Sequence, residues 1–116
     1  MEMIHYGVTK TAQIALARGL AETTRGTDVT VNSVLPGPTL SEGISTFIEN
    51  LAKEQNSNKK DVEEQFFEHM RPTSLIQRFA DTREVANLVV YVCSPLSSAT
   101  NGAALRVDGG VVRAIP

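Results

Sequence analysis

One cysteine, Cys93, is all the chain of 116 residues contains, and that scarcity removes two kinds of chemistry at once. A single thiol cannot close an internal disulfide, and it leaves no cysteine-rich metal site, so no metal is expected. Cys93 falls within a hydrophobic helical pattern and reads as a small core residue rather than a reactive thiol. An excess of one charge is also lacking, because 11 Lys and Arg stand against 13 Asp and Glu for a formal net charge of −2. That balance gives no electrostatic case for nucleic acid or an anionic membrane as a partner. No apolar run approaches the roughly 20 residues needed to span a bilayer. The N-terminus lacks the basic-then-apolar pattern of a signal peptide, so a cytoplasmic location is the expectation. What is left, 41% hydrophobic and 21% charged residues, suits one globular domain with a modest core.

Against these absences stands a compact motif at the head of the chain. Tyr6-Gly7-Val8-Thr9-Lys10 opens a segment in which Val8, Ala12, Ala15, Leu16, Gly19 and Leu20 recur at spacings of three and four. The pattern predicts an amphipathic helix from about Gly7 to Thr24, closed by Arg25-Gly26. On a helix, residues four apart share a face, so the Tyr6 phenol and the Lys10 ammonium come within reach of a common partner. A free phenol titrates near 10 and is a poor proton donor at neutral pH. A neighbouring cation favours the phenolate, which makes a tyrosine a usable acid–base group. Taken alone, the same spacing occurs by chance in many helices. The small residues Ala12, Ala15, Ala17, Gly19 and Ala21 would let another helix approach closely.

Further along, Val29 to Leu35 is β-branched and short, and it runs into Pro36-Gly37-Pro38, the pattern of a buried strand opening into a loop. Ligands of parallel α/β sheets bind beyond the carboxyl ends of strands, so Pro36 to Ser41 is a candidate binding loop; a plain Pro-Gly turn is the alternative. Ile44, Phe47, Ile48 and Leu51 make a short helix, and Asn56 to Lys60 interrupts it as a polar loop. A second helix follows, with Val62, Phe66, Phe67 and Met70 on one side, and Arg71-Pro72 stops it. This pair of helices could form a lid over a ligand, or a helical hairpin packed on the core. Asp81-Thr82-Arg83-Glu84 has capping-box spacing and starts a helix that is apolar nearly all round, hence expected to be buried on more than one side. Ala103 to Val107 forms a last strand, finishing at Asp108-Gly109-Gly110, and the apolar tail beyond needs something to pack on. His5, beside Tyr6, reads as a partly exposed loop histidine, with modulation of the Tyr6 site the alternative, and His69 has no paired ligand at metal spacing and reads as a surface residue. A strand–helix–strand crossover of this length implies two parallel strands joined right-handedly. Two strands alone are marginal, so the pattern looks like part of a larger sheet.

With these elements placed, the chain resembles the short-chain dehydrogenase/reductase family along its whole length. Four stretches carry the likeness in the right order: Tyr6-x-x-x-Lys10 leading into an Ala-rich helix; Val31 to Thr39; Arg78-Phe79-Ala80 with Glu84-Val85-Ala86; and Val107-Asp108-Gly109-Gly110. The resemblance implies an α/β fold, a partial Rossmann-like (doubly wound) arrangement with two parallel strands, a crossover helix, a preceding Ala-rich helix and a small helical lid at about 40–72. It also implies an oxidoreductase using NAD or NADP to interconvert a carbonyl and an alcohol. By that resemblance Tyr6 would be the general acid–base, and Lys10 would favour its phenolate and hydrogen-bond the nicotinamide ribose. Pro36, Gly37 and Thr39 would line the nicotinamide, with the Thr39 backbone near the carboxamide. Ser41 stands where the family often has a threonine touching the cofactor phosphate. The helix at Thr82–Cys93 with the strand at Ala103–Val107 matches a common dimerisation surface, so a homo-oligomer is expected.

The departures shape the remaining expectations. The family's dinucleotide fold begins with a Gly-rich turn whose backbone N–H groups hold the pyrophosphate. None of the eight glycines here has Gly-x-Gly spacing. The family's catalytic asparagine and serine precede its Tyr-x-x-x-Lys motif. Residues 1–116 are therefore expected to be the C-terminal part of one Rossmann-like domain, without the dinucleotide-binding half, and inactive alone. The strand at Val29–Leu35 would then present an open edge, a template for pairing with another chain. The alternative is a non-catalytic remnant, an interaction module that keeps the family's oligomerisation surface. Asn101-Gly102 replaces a frequent Thr-Gly. Neither the substrate nor the choice between NAD and NADP is legible.

Overall fold

The structure, a computed structural model, describes residues 3–115. In chain order it comprises α1 (Ile4–Thr23), β1 (Ser33–Pro36), α2 (Glu42–Glu54), α3 (Lys59–Gln65) running into a π-helical turn (Phe66–Met70), α4 (Thr82–Val92), a 3₁₀ turn (Pro95–Ser97) and β2 (Ala104–Val107). The two strands pair as a two-stranded sheet. The Ser33 N–H donates to Ala103 O and the Gly37 N–H to Val107 O, the same offset at both ends, so the strands run parallel. The α/β architecture thus agrees with the sequence pattern. The chain divides into two compact units, Met1–Leu35 with Leu88–Leu105, and Pro36–Asn87 with Arg106–Pro116. No helix of the described residues is long and apolar enough to cross a membrane.

In the first unit, α1 begins at Ile4, three residues earlier than its periodicity suggests, which places Tyr6 inside the first turn. Its inward face is Ile14, Ala17 and Ala21, spaced three and four apart, with Ala21 fully buried. The Val8–Leu16–Leu20 stripe lies exposed. Gly26 takes a left-handed φ of 77° in the turn that follows, as its position after a helix end requires. The strand expected from Val29 is shorter than its β-branched run: before Ser33 a single backbone bond, Gly102 N–H to Val31 O at 2.9 Å, is joined by side-chain bonds in place of a regular ladder. The Val31 N–H donates to Asn101 Oδ1 at 2.8 Å, and Asn32 bridges the other way, donating from Nδ2 to Thr100 O and accepting from the Ala103 N–H. Asn101 Nδ2 also donates to Thr24 Oγ1 at 2.9 Å, tying the end of α1 to this segment. Asn101 is therefore a structural brace.

Within the single chain α4 has one inward face, the outer one being where a subunit interface is expected, and one expectation, for Cys93, is overturned. No residue of that helix is fully buried among the described residues, and Val89, Val90 and Tyr91 are exposed. Cys93, read as a small core residue, is also exposed. The reason is the same for both: only Leu88 and Val92 turn inward in this unit, and no described element covers the opposite face.

The second unit has its own core of Ile48, Ala52, Val62, Phe67 and Phe79, with Leu51 and Phe66 packed against it. Helices α2 and α3 meet across a connection that Asn58 closes as an N-cap, its Oδ1 accepting from the Asp61 N–H at 2.9 Å. The Ile44–Met70 region is accordingly a helical hairpin. Its second helix does not stay α-helical: the Arg71 N–H reaches back five residues to Phe66 O at 3.2 Å, closing a π turn. The wider turn sets Phe66 and Phe67 both against Phe79, with ring centroids 4.9 and 5.0 Å away. It also rotates Met70 off the apolar face, leaving it 61% exposed where the α-helical period had placed it with the phenylalanines. The tail stays exposed at Val112 and Ile115, held instead by Arg106 Nη1 donating to Ala114 O.

Phe67 is 1% exposed and sits between two rings. Phe67→Ala removes the centre of this core and is expected to lower the unfolding free energy by about 3–5 kcal/mol. Chemical denaturation checks it; a loss near that of a surface change would mean that the hairpin is not cooperatively packed.

Candidate functional site

Tyr6 and Lys10 lie in the first unit, one turn apart on α1, so helical spacing alone brings them together. Lys10 Nζ lies 5.4 Å from the centroid of the Tyr6 ring, a cation over a π face. The ammonium also donates to Gln13 Oε1 at 3.4 Å, one turn further on. Tyr6 is 49% exposed, and its hydroxyl has no hydrogen-bond partner among the described residues. A half-exposed phenol with an adjacent cation can exchange a proton with a bound oxygen.

Pro36, the last residue of β1, lies in the second unit with Gly37, Thr39 and Ser41 on the loop that leaves the strand's carboxyl end. The loop is pinned at both ends. The Gly37 N–H donates to Val107 O at 3.1 Å. A parallel bridge then joins Thr39 to Ala80: the Ala80 N–H donates to Pro38 O at 2.9 Å and the Leu40 N–H to Ala80 O at 2.8 Å. In that geometry the bonds to Ala80 use the groups on either side of Thr39, and the Thr39 N–H points the other way. It has no partner among the described residues, although Thr39 is half-buried. An N–H without a protein partner on a well-held loop is a donor that a ligand acceptor can use. The Thr39 hydroxyl is turned inward, donating to Gly37 O at 2.9 Å. Ser41 is the N-cap residue of α2, yet its side chain makes no cap hydrogen bond and is left exposed.

The support for this loop was only partly visible in the sequence. Arg78-Phe79-Ala80 and the capping-box spacing at Asp81–Glu84 both stood out, but not as props for Pro38–Leu40. Glu84 closes the capping box by accepting from the Asp81 N–H at 2.8 Å, while Asp81 Oδ1 accepts from the Arg83 N–H at 2.7 Å. Glu84 also takes a two-pronged bond from Arg78, Nη1 to Oε2 at 2.8 Å and Nη2 to Oε1 at 2.9 Å. Arg78 Nη1 reaches Phe79 O, and the Phe79 N–H donates to Glu63 Oε1 at 3.0 Å. Ala80, which holds the loop, is thus flanked by backbone fixed on both sides. The Arg78 hydrogen bonds, and after them the Asp81 N–H, hold the Glu84 carboxyl down at about 2 against an ordinary 4.5. A separate open depression beside Glu49, Lys53, Asn56 and Lys59 lies at the α2–α3 connection. Its Lys59 is already paired with Glu49 at 2.6 Å, and it holds none of the residues above. Among the described residues no three His, Cys, Asp or Glu side chains gather as a metal site.

Comparison with known proteins places these features. Residues 2–112 match the family model described as enoyl-(acyl carrier protein) reductase. The chain is 50% identical over 114 residues to the uncharacterized oxidoreductase YvaG of Bacillus subtilis strain 168, a match covering 98% of this chain and 43% of that protein. Among solved structures, L-sorbose reductase from Gluconobacter frateurii, complexed with NADPH and L-sorbose, superposes with a TM-score of 0.82 at 28% identity over 95% of this chain and 41% of that one. A short-chain dehydrogenase/reductase from Brucella melitensis shares the fold with a TM-score of 0.72 at 23% identity, over 98% of this chain and 40% of the other. The chain spans less than half the length of these relatives.

The Arg78–Glu84 fork gives a pH signature. Because the folded-state value of Glu84 is depressed, its contribution is fully present above 4.5 and is lost as pH falls from 4.5 toward about 2. Unfolding measured from pH 6 to pH 2 should show Glu84→Gln less stable than wild type at the upper end and the gap closing in that window. A gap independent of pH would remove the ion pair from the account. Because both side chains are half-exposed, added salt should narrow the gap.

Proposed function

Because the chain belongs to the short-chain dehydrogenase/reductase family, we propose that it carries the acid–base and nicotinamide-facing residues of an NAD- or NADP-dependent oxidoreductase that interconverts a carbonyl and an alcohol. The observation that carries this reading is the open Thr39 N–H on a loop held between Val107 and Ala80. A carboxamide oxygen is the acceptor such a donor fits. A bound nicotinamide cofactor supplies hydride in one direction and accepts it in the other. Tyr6 gives its phenolic proton to the carbonyl oxygen during reduction and takes it back during oxidation. Lys10, over the Tyr6 ring, is its partner and offers its ammonium to a ribose hydroxyl. Pro36 and Gly37 flank the ring-binding part of the loop. The Ser41 hydroxyl, unused as a cap, meets a cofactor phosphate where the first N–H groups of α2 also favour an anion.

The hairpin of α2, α3 and the π turn serves as the lid over the substrate, and residues 1–116 form the C-terminal part of one Rossmann-like domain. With no Gly-x-Gly turn to hold a pyrophosphate, these residues bind dinucleotide weakly and have little activity alone. The exposed Val8–Leu16–Leu20 stripe of α1 and Val89–Val90–Tyr91 of α4 favour a homo-oligomer. The same exposure supports the second reading, an interaction module that keeps an assembly surface without catalysis.

Tyr6→Phe, assayed with a nicotinamide cofactor and a panel of carbonyls in the protein that carries this chain, should lower kcat/KM by about 10²–10⁴-fold. Activity unchanged by that substitution would refute the acid–base assignment. Calorimetry of the 116 residues with NADH and NADPH should give dissociation constants weaker than micromolar; tighter binding would refute the weak-binding claim. Light scattering should show more than one copy, and a clean monomer would sink the oligomer.

A further inference from the structure

We propose that Asp108 is a positioning residue for the Pro36–Thr39 loop, acting through Gly37; its relevance to the reaction rests on the reading above that this loop takes the nicotinamide. The starting point is a contact with no room in it. A Cβ added at Gly37 would lie 2.6 Å from both the Asp108 Cα and its carbonyl oxygen. Gly37 is not among the glycines with positive φ, so the backbone conformation does not demand glycine there. The closeness does. The loop backbone rests directly on the Asp108 backbone, and wherever Asp108 moves, Gly37 follows.

Asp108 is itself held by its own side chain. One carboxylate oxygen accepts from the Gly110 N–H and the other from the Val112 N–H, both at 3.0 Å. These bonds close the chain over Gly109 and Gly110, which stand at φ 65° and 80°. Gly109 O then accepts from the Leu75 and Ile76 N–H groups at 2.8 and 3.2 Å, fastening the turn to the segment before Arg78. Beside the Gly37 N–H bond to Val107 O, the loop therefore has two further props: Ala80 through hydrogen bonds on either side of Thr39, and Asp108 through the bare face of Gly37. Removing the carboxylate frees the second prop while leaving every loop residue unchanged. On the Gly37 side the loop would then rest on the single N–H bond to Val107 O, and a displacement of about 1 Å is enough to cost a reaction up to roughly 100-fold.

Three substitutions test this: Asp108→Ala, Asp108→Asn and Gly37→Ala. Asn keeps one acceptor oxygen, so it should rescue part of the effect; Gly37→Ala leaves the carboxylate bonds intact and pushes the loop off directly. Amide exchange at Gly37 should quicken about tenfold in Asp108→Ala and less in Asp108→Asn. The Thr39 amide shift should move in Asp108→Ala and in Gly37→Ala. In the protein that carries this chain, KM for NADPH or NADH should rise about tenfold or more in Asp108→Ala and in Gly37→Ala, with Asn intermediate. Gly37 exchange and the Thr39 shift unchanged in a folded Asp108→Ala protein would overturn the proposal. So would altered exchange with an unchanged KM. If Asp108→Ala does not fold, Asp108→Asn and Gly37→Ala decide by the same readouts. A wild-type protein inert toward nicotinamide cofactors would defeat the functional reading alone, and the exchange and shift data would still decide whether Asp108 positions the loop.

Discussion

The parallel register of β1 and β2 at their carboxyl ends is the constraint on which the candidate cofactor loop depends. One hydrogen bond, Gly37 N–H to Val107 O, carries the pairing past Pro36, where proline has no N–H to give. From there the loop cannot wander. Pro38 and Leu40 pair with Ala80, Gly37 meets the Asp108 backbone, and Thr39 is left with its amide open. A connecting loop would ordinarily be more mobile than the elements it joins. Here it is as constrained as a strand, and that rigidity gives the open Thr39 N–H a fixed direction.

The props of the loop are polar, whereas the body behind it is apolar. Phe66, Phe67 and Phe79 interlock at centroid distances near 5 Å, and Phe79 precedes Ala80 in the chain. Burial of the rings therefore fixes the residue next to the one that holds the loop. The Arg78–Glu84 fork and the Glu63 bond to the Phe79 N–H orient that short segment, a task that apolar contact alone leaves undone. The division is physical. Hydrophobic burial supplies most of the stabilisation without direction, and hydrogen bonds supply direction with modest net stabilisation.

Much of this was legible in the residues. The Tyr6–Lys10 spacing, the capping box at Asp81–Glu84, the N-terminal helix and both strands follow from local rules that the surrounding fold does not override. The misses share one cause, dependence on a neighbour distant in sequence. The strand began at Ser33 rather than Val29 because side-chain bonds from Asn101 and Asn32 stand in place of a regular ladder. Met70 left the apolar face because the packing of Phe66 and Phe67 on Phe79 coincides with a π turn, which no α-helical period can show. Cys93 is exposed because apolar character says what could be buried, not what arrives to bury it. The open amide of Thr39 was invisible for the same reason, since it depends on which loop groups Ala80 takes.

The central claim is that the Thr39 amide faces the nicotinamide. It is tested most directly by titrating the ¹⁵N-labelled 116 residues with reduced nicotinamide mononucleotide, which needs no pyrophosphate-binding turn. The account predicts a saturable shift of the Thr39 amide at millimolar ligand, larger than that of Leu40, whose N–H is already bonded to Ala80. A folded chain whose Thr39 amide does not move, or whose shifts gather instead around Glu49 and Lys59, would contradict it.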